Sequence, residues 1–166
     1  VAPASKEAAR RTVQSTLDAL DDPVPNVAVR VNPYDRSGPE DVDAVVGDVA
    51  TPPDSVLLPK VDDADPVEAL HDQLAELGEA DVGVVPLIET AAGVLSADDI
   101  AAAPGVTAVA YGDQDFTADV GATVTDDRWH HLACTREGNS NLRIYVDGVL
   151  RGQATADPVG NLSSTG

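Results

Sequence analysis

The sequence predicts an α/β fold followed by an antiparallel β-meander, and three observations carry that reading. Apolar, β-branched runs alternate with helical patterns over residues 1–122. These runs lack the in–out alternation of a half-exposed strand, so they read as buried on both faces, as in a parallel sheet. Beyond residue 122 the pattern becomes strict alternation around an Asp147-Gly148 turn.

The elements follow in order. Ser5 to Leu20 reads as a helix: Ser5 can cap it, Glu7 suits the positive end of the dipole, and Ala8, Val13, Leu17 and Leu20 share a face. Asp21-Asp22-Pro23 ends it. Val27–Val31 is a short strand closed by Asn32-Pro33. Pro39–Val49 is a second helix, with Pro39 near its first position and Glu40 and Asp41 in its first turn. Ser55–Leu58 is a strand ended by Pro59-Lys60, and Pro66–Leu77 a helix stopped by Gly78. Val82–Ile88 is a nearly continuous apolar strand. Ser96–Ala103 is a short helix with a capping-box pattern, Ser96-x-x-Asp99. Val106–Ala110 is the fourth strand. In the tail, Arg128–Thr135, Leu142–Val146 and Val149–Thr155 read as three antiparallel strands with one apolar face.

Charge divides the chain at the same place. Residues 1–122 hold 24 acidic and 6 basic residues, a net of −18, and 11 of the 12 prolines. Residues 123–166 hold 5 and 4, a net of −1, with the only Trp and the only Cys. Two regions, 1–122 and 123–166, are expected, joined near Ala122–Asp127. The total of −19 opposes nucleic-acid binding. No run approaches the roughly 18 apolar residues of a membrane helix, and no basic start with an apolar core marks a signal peptide. A cytoplasmic protein without membrane contact is expected. The acids are 22 Asp and 7 Glu, the bases 8 Arg and only 2 Lys. A hydrated, Asp-rich surface of this kind suits a salt-rich cytoplasm. One cysteine forms no internal disulfide and no multi-thiolate zinc site.

Ligands of parallel sheets collect at the carboxyl ends of the strands. Those ends carry Arg30, Asn32, Lys60, Glu89, Asp113 and Asp115. Glu89 and Asp115 follow successive strands, which brings them near each other. Two carboxylates with positions left for water suit Mg²⁺, which could polarise a carbonyl. Arg30 offers a planar fork for a substrate carboxylate. The plain alternative is that such acids cap helices or face solvent. His130-His131 invites a metal reading, but neighbours on a strand point to opposite faces, so one in and one out is expected. Cys134 reads as a small buried hydrophobe. Asn161-Leu162-Ser163 fits a glycosylation sequon.

Several strings occur together in order: Val1-Ala2-Pro3-Ala4-Ser5-Lys6-Glu7-Ala8-Ala9-Arg10, Val29-Arg30-Val31-Asn32-Pro33, Leu58-Pro59-Lys60-Val61, Pro86-Leu87-Ile88-Glu89-Thr90-Ala91-Ala92-Gly93-Val94 and Tyr111-Gly112-Asp113-Gln114-Asp115-Phe116. Over about residues 1–122 the chain thereby resembles the citrate lyase β-subunit-like members of the HpcH/HpaI aldolase group. The resemblance implies a TIM barrel and Mg²⁺-dependent carbon–carbon cleavage of 3-hydroxy acyl-CoA thioesters such as malyl-CoA or citryl-CoA. It implies Glu89 and Asp115 as metal ligands and Arg30 as the catalytic arginine on the substrate carboxylate, with Asn32 also at the substrate. It gives Lys60 no firm role, and Asp113 a place beside the metal position. A full barrel needs eight strands in roughly 250 residues; four are seen, so the expected fold is a partial (β/α) barrel whose open edges favour self-association.

Asp126-Asp127-Arg128-Trp129-His130-His131-Leu132-Ala133 and Leu142-Arg143-Ile144-Tyr145-Val146-Asp147-Gly148-Val149 resemble laminin-G-like or concanavalin-like jelly-roll sandwiches. That resemblance implies a sandwich fragment over about 123–157 and assigns no ligand residues. Three function classes follow: a Mg²⁺-dependent C–C lyase on an acyl-CoA or oxoacid, active or truncated; a carbohydrate- or protein-binding module; and a chimera without activity.

Overall fold

The computed structural model describes residues 5–20, 26–121, 128–137 and 141–155. The expected Asp21-Asp22-Pro23 helix stop, the join at 122–127, the sequon at Asn161 and the side chain of Cys134 lie outside the described residues.

Helix α1 (Lys6–Asp18) buries Leu17, while Ser5 makes no side-chain cap bond. Strand β1 (Ala28–Arg30) is shorter than the apolar run that predicts it. Helix α2 (Gly38–Val42) continues as a π-helical turn over Asp43–Gly47, where Asp48 N donates to Asp43 O at 2.9 Å. Strand β2 (Ser55–Leu58) has the predicted bounds. Helix α3 (Asp65–Glu76) buries Val67, Leu70 and Leu74 at helical spacing. Strand β3 (Gly83–Ile88) is almost wholly buried. Two short helices, α4 (Ala91–Leu95) and α5 (Ala97–Ala102), precede β4 (Ala110–Tyr111), and α6 (Asp113–Val120) follows it.

The four strands form one parallel sheet in the order β1-β2-β3-β4. Val29 faces Val56 and Val56 faces Val84 in register. Consecutive parallel strands side by side, joined through helices, are the βαβ arrangement the sequence predicts. The sheet is open among the described residues, so a closed barrel is not formed there; β1 and β4 are its two edges. Val56, Leu58, Val61, Val84, Leu70 and Ile100 are fully buried between sheet and helices.

Three expectations need correction. The strand expected over Val106–Ala110 is a single bridge at Val106, then an irregular stretch, then β4. Val106 pairs with Val84 and Ala110 with Leu87, so this chain spends one residue more than its partner, as in a bulge. The Ser96 capping box does not form; the side-chain cap is Thr90, whose oxygen accepts from Gly93 N at 3.0 Å. Helix α6 was not anticipated, although Gly121 in the left-handed region (φ 61°) closes it as a C-cap glycine does.

Strands β5 (Leu132–Glu137), β6 (Asn141–Val146) and β7 (Val149–Thr155) form the expected antiparallel sheet. Asp147-Gly148 makes the β6–β7 turn with both residues at positive φ (52° and 77°). Strand β5 begins later than predicted: Trp129-His130-His131 precede it without belonging to it. Ile144 and Val146 of β6 pack with Phe116 of α6, and Ala91 and Val94 of α4 lie against them. No helix among the described residues is long and apolar enough to cross a membrane.

Candidate functional site

Parallel strands deliver their carboxyl ends to one rim, and four of the predicted residues meet there. Glu89 directly follows β3 and is buried, with 3% of its side chain exposed. Its Oε1 accepts from the backbone N–H of Lys60 at 2.9 Å. Arg30, at the end of β1, places Nη2 3.9 Å from the same oxygen and is half exposed. Lys60 also holds Nζ 3.4 Å from Asp115 Oδ2, in the first turn of α6. One lysine therefore touches both predicted metal carboxylates, through its main chain and its ammonium.

Local backbone makes this possible. Lys60 sits in the left-handed region (φ 56°), unusual for a side chain of its type. The loop it belongs to lies against α4 so closely that a Cβ on Gly93 would stand 2.3 Å from Val61 O. A Cβ on Gly112 would stand 2.8 Å from Glu89 Cβ and 2.9 Å from Glu89 Oε2, so that glycine keeps space open beside the buried carboxylate. The Thr90 hydroxyl donates to Asp62, and Ala91 N donates to Asp119 Oδ2 at 2.8 Å, tying α4 to α6.

Asn32 is turned elsewhere. Its backbone N–H and side-chain amide both donate to Asp41 Oδ2, and Arg10 Nε donates to Asp41 Oδ1 at 2.8 Å. Burial pushes the Asp41 carboxyl up, but the Asn32 hydrogen bonds and the Arg10 guanidinium outweigh it and hold it below its ordinary value. Arg30 and Asn32 line one cavity of about 140 Å³ with Arg10, Lys6 and Asp41. Asp113 is exposed at the start of α6. His130 and His131 behave as predicted in exposure: His130 is half-buried, with Nδ1 2.7 Å from Asp147 Oδ2, and His131 is exposed.

Among the described residues no three His, Cys, Asp or Glu side chains cluster as a metal cage. Glu89 and Asp115 supply oxygen only, one directly after β3 and one from the first turn of α6. That donor set fits a hard cation that completes its shell with water. The residues alone give Gly93, Gly112 and Thr90 no role, place Lys60 at the rim without one, and place Asp41 only in the first turn of a helix. The legible signals were Gly93 inside an apolar run, Gly112 between a strand and the acids Asp113 and Asp115, and an acid four residues from Ser37.

The model of the HpcH/HpaI aldolase/citrate lyase family matches residues 1–142. The chain belongs to the HpcH/HpaI aldolase/citrate lyase family. This match runs past the junction expected at 122–127. A (3S)-malyl-CoA thioesterase of Cereibacter sphaeroides is 35% identical over 121 residues, which is 72% of this chain and 40% of that protein. RipC from Yersinia pestis superposes with a TM-score of 0.60 at 32% identity, over 76% of this chain and 54% of that one. CitE from Mycobacterium tuberculosis, in complex with magnesium, acetoacetate and coenzyme A, superposes with a TM-score of 0.56 at 31% identity, over 75% of this chain and 41% of that one. The chain thus spans about half or less of the length of these family members.

Proposed function

We propose that this chain carries the metal and substrate rim of an enzyme acting on CoA thioesters of 3-hydroxy acids, such as malyl-CoA or citryl-CoA, by carbon–carbon cleavage. The observation that most supports it is the meeting of buried Glu89, Asp115 and half-exposed Arg30 at one end of a parallel sheet. Glu89 and Asp115 would hold Mg²⁺, which supplies Lewis-acid polarisation of a carbonyl when bound. The Lys60 N–H fixes Glu89 through Oε1, and Oε2 lies against Gly112, where a side chain would crowd it. Arg30 stands 3.9 Å from Glu89, too far for a hydrogen bond, so its fork serves the carboxylate of the substrate or oxoacid product. Asn32 gives its amide to Asp41 and lines the same cavity as Arg30. Thioester hydrolysis at this rim is the sibling reading, supported by the identity to malyl-CoA thioesterases.

The parallel unit is in this reading a partial (β/α) barrel over 1–122, with 123–166 a second unit, and its open β1 edge favours self-association. The test is calorimetric titration with Mg²⁺. Removing a group that only hydrogen-bonds a metal ligand costs ~10–100-fold in affinity, so removing both proposed ligands by Glu89→Gln with Asp115→Asn should cost at least about 100-fold. Equal binding by both proteins overturns the site. Release of acetyl-CoA from malyl-CoA then tests the reaction.

A second reading, recognition of carbohydrate or protein by the antiparallel sheet, draws on the exposure of Trp129, Leu132, Val149 and Leu150. As the only tryptophan, Trp129 reports on it directly. Unchanged fluorescence on titration with oligosaccharides counts against carbohydrate.

A further inference from the structure

Each of the two proposed metal carboxylates already has a cation beside it. Glu89 and Asp115 bring two negative charges, and Arg30 and Lys60 bring two positive ones within 3.9 and 3.4 Å. Lysine is otherwise almost absent: Lys6, far along the sequence on α1, is the only other one. A chain so poor in lysine places half of its lysines on a carboxylate proposed to bind metal. The backbone is bent into the left-handed region at that residue (φ 56°), and its N–H is already committed to Glu89. The ammonium is half exposed, so it can leave Asp115 without being buried elsewhere.

We propose that Lys60 is a built-in counter-cation of the metal site: its ammonium occupies Asp115 until a divalent cation displaces it, while its main-chain N–H stays on Glu89. This rests on the reading of Glu89 and Asp115 as the metal carboxylates. The physical reason is simple repulsion. A dication beside Asp115 lies close to an ammonium held 3.4 Å from the same carboxylate, and the ion pair must open for the dication to gain the oxygen. Lys60 thereby sets the affinity of the site without being a ligand. It keeps Asp115 compensated when no metal is present, at a position where the surrounding chain is strongly acidic. Asp62 and Asp63 line the adjoining cavity with Lys60 and Arg36, and offer the displaced ammonium a new partner.

Two measurements test it on the full chain. In the first, Mg²⁺ is titrated into the wild type, Lys60→Asn and Lys60→Arg. Asparagine tolerates the left-handed backbone and keeps the N–H on Glu89. Opening an exposed ion pair accounts for a factor of about two to five, so Lys60→Asn should bind Mg²⁺ at least about twofold tighter, with Lys60→Arg like the wild type. Equal or weaker binding by Lys60→Asn overturns the proposal. In the second, lysine acylation is followed by mass spectrometry, with Lys6 as internal reference. Saturating Mg²⁺ should speed modification of Lys60 and leave Lys6 unchanged; slower modification of Lys60 overturns the proposal, even if Lys60→Asn fails to fold. The Asp115→Asn variant separates the two levels. If Mg²⁺ binds it as it binds the wild type, the metal site itself is wrong. If Asp115→Asn loses Mg²⁺ while Lys60→Asn gains nothing, only the counter-cation is wrong.

Discussion

The parallel sheet β1–β4 and the antiparallel sheet β5–β7 are neighbours in one chain but are held by different means. Among the described residues, seventeen buried apolar side chains form one cluster around the parallel sheet, from Leu17 on α1 to Ala103 beyond α5. Among the described side chains of the antiparallel sheet, Ile144 and Val146 cluster with Phe116 of α6. The two metal carboxylates of the proposed site fall on opposite sides of this contrast. Glu89 is buried directly after β3, whose Val84 and Ile88 belong to the large core. Asp115 sits half exposed on α6, one residue before the phenylalanine that the antiparallel sheet covers. A carboxylate buried behind a well-cored strand is fixed by dense packing, whereas one half exposed on a helix keeps more freedom.

Deleting buried methylenes should show the contrast most strongly. Leu74→Ala removes contacts from the large core and should cost about 2–5 kcal/mol of global stability, read from urea unfolding. Ile144→Ala should cost about 2 kcal/mol and act locally. Amide exchange should accelerate in β5–β7 and leave β2 and β3 protected. Equal acceleration in both sheets would mean one cooperative unit and would break the comparison.

Glycines sharpen it next. Gly93→Ala drives a Cβ to 2.3 Å from Val61 O and should cost about 1–3 kcal/mol, while shifting Lys60 off Glu89. Gly148→Ala meets open space and should cost only the ~1 kcal/mol of a left-handed backbone (φ 77°). A Gly93→Ala protein with unchanged stability would show that the loop bearing Lys60 yields freely.

Acid has a smaller effect with a definite sign. The Asp41 carboxyl is held below its ordinary value of 3.8. Its stabilisation is therefore present above that value and lost as pH falls through the lower folded value. Asp41→Asn should flatten the pH dependence of the urea midpoint below about pH 4. Asp147, lowered by hydrogen bonds from His130 and from the His131 backbone, has the same sign on the antiparallel side; being exposed, it should change little.

Salt should have the mildest effect. Raising KCl screens a segment of net −18 far more than one of net −1, so β1–β4 should gain more exchange protection than β5–β7. An equal gain would count against the salt-adapted reading of the composition.

Much of this was legible in the residues. Strand β2 and the Asp147-Gly148 turn fall where pattern and turn chemistry place them, because both signals are local. Glu89 and Arg30 were legible as rim residues once the sheet was read as parallel. The β4 segment was misread because its bulge is set by pairing with β3, which an apolar run does not encode. Helix α6 carries a narrow apolar face, and the partners of its Phe116, Ile144 and Val146, are distant in sequence. Lys60 carried no role because its ties to Glu89 and Asp115 cross 29 and 55 positions.

By itself the sequence determined the alternation of strands and helices, the parallel sense of the first sheet, the hairpin of the second and the acids at the strand ends. These depend on periodicity, turn residues and charge, all short-range properties. Only the tertiary structure decided which oxygen of Glu89 is taken, that Asn32 faces Asp41, that Lys60 bridges both carboxylates, and that the antiparallel sheet rests on the helix carrying Asp115. Those outcomes depend on which surfaces find each other once apolar area is buried, and that is settled by packing between segments far apart along the chain.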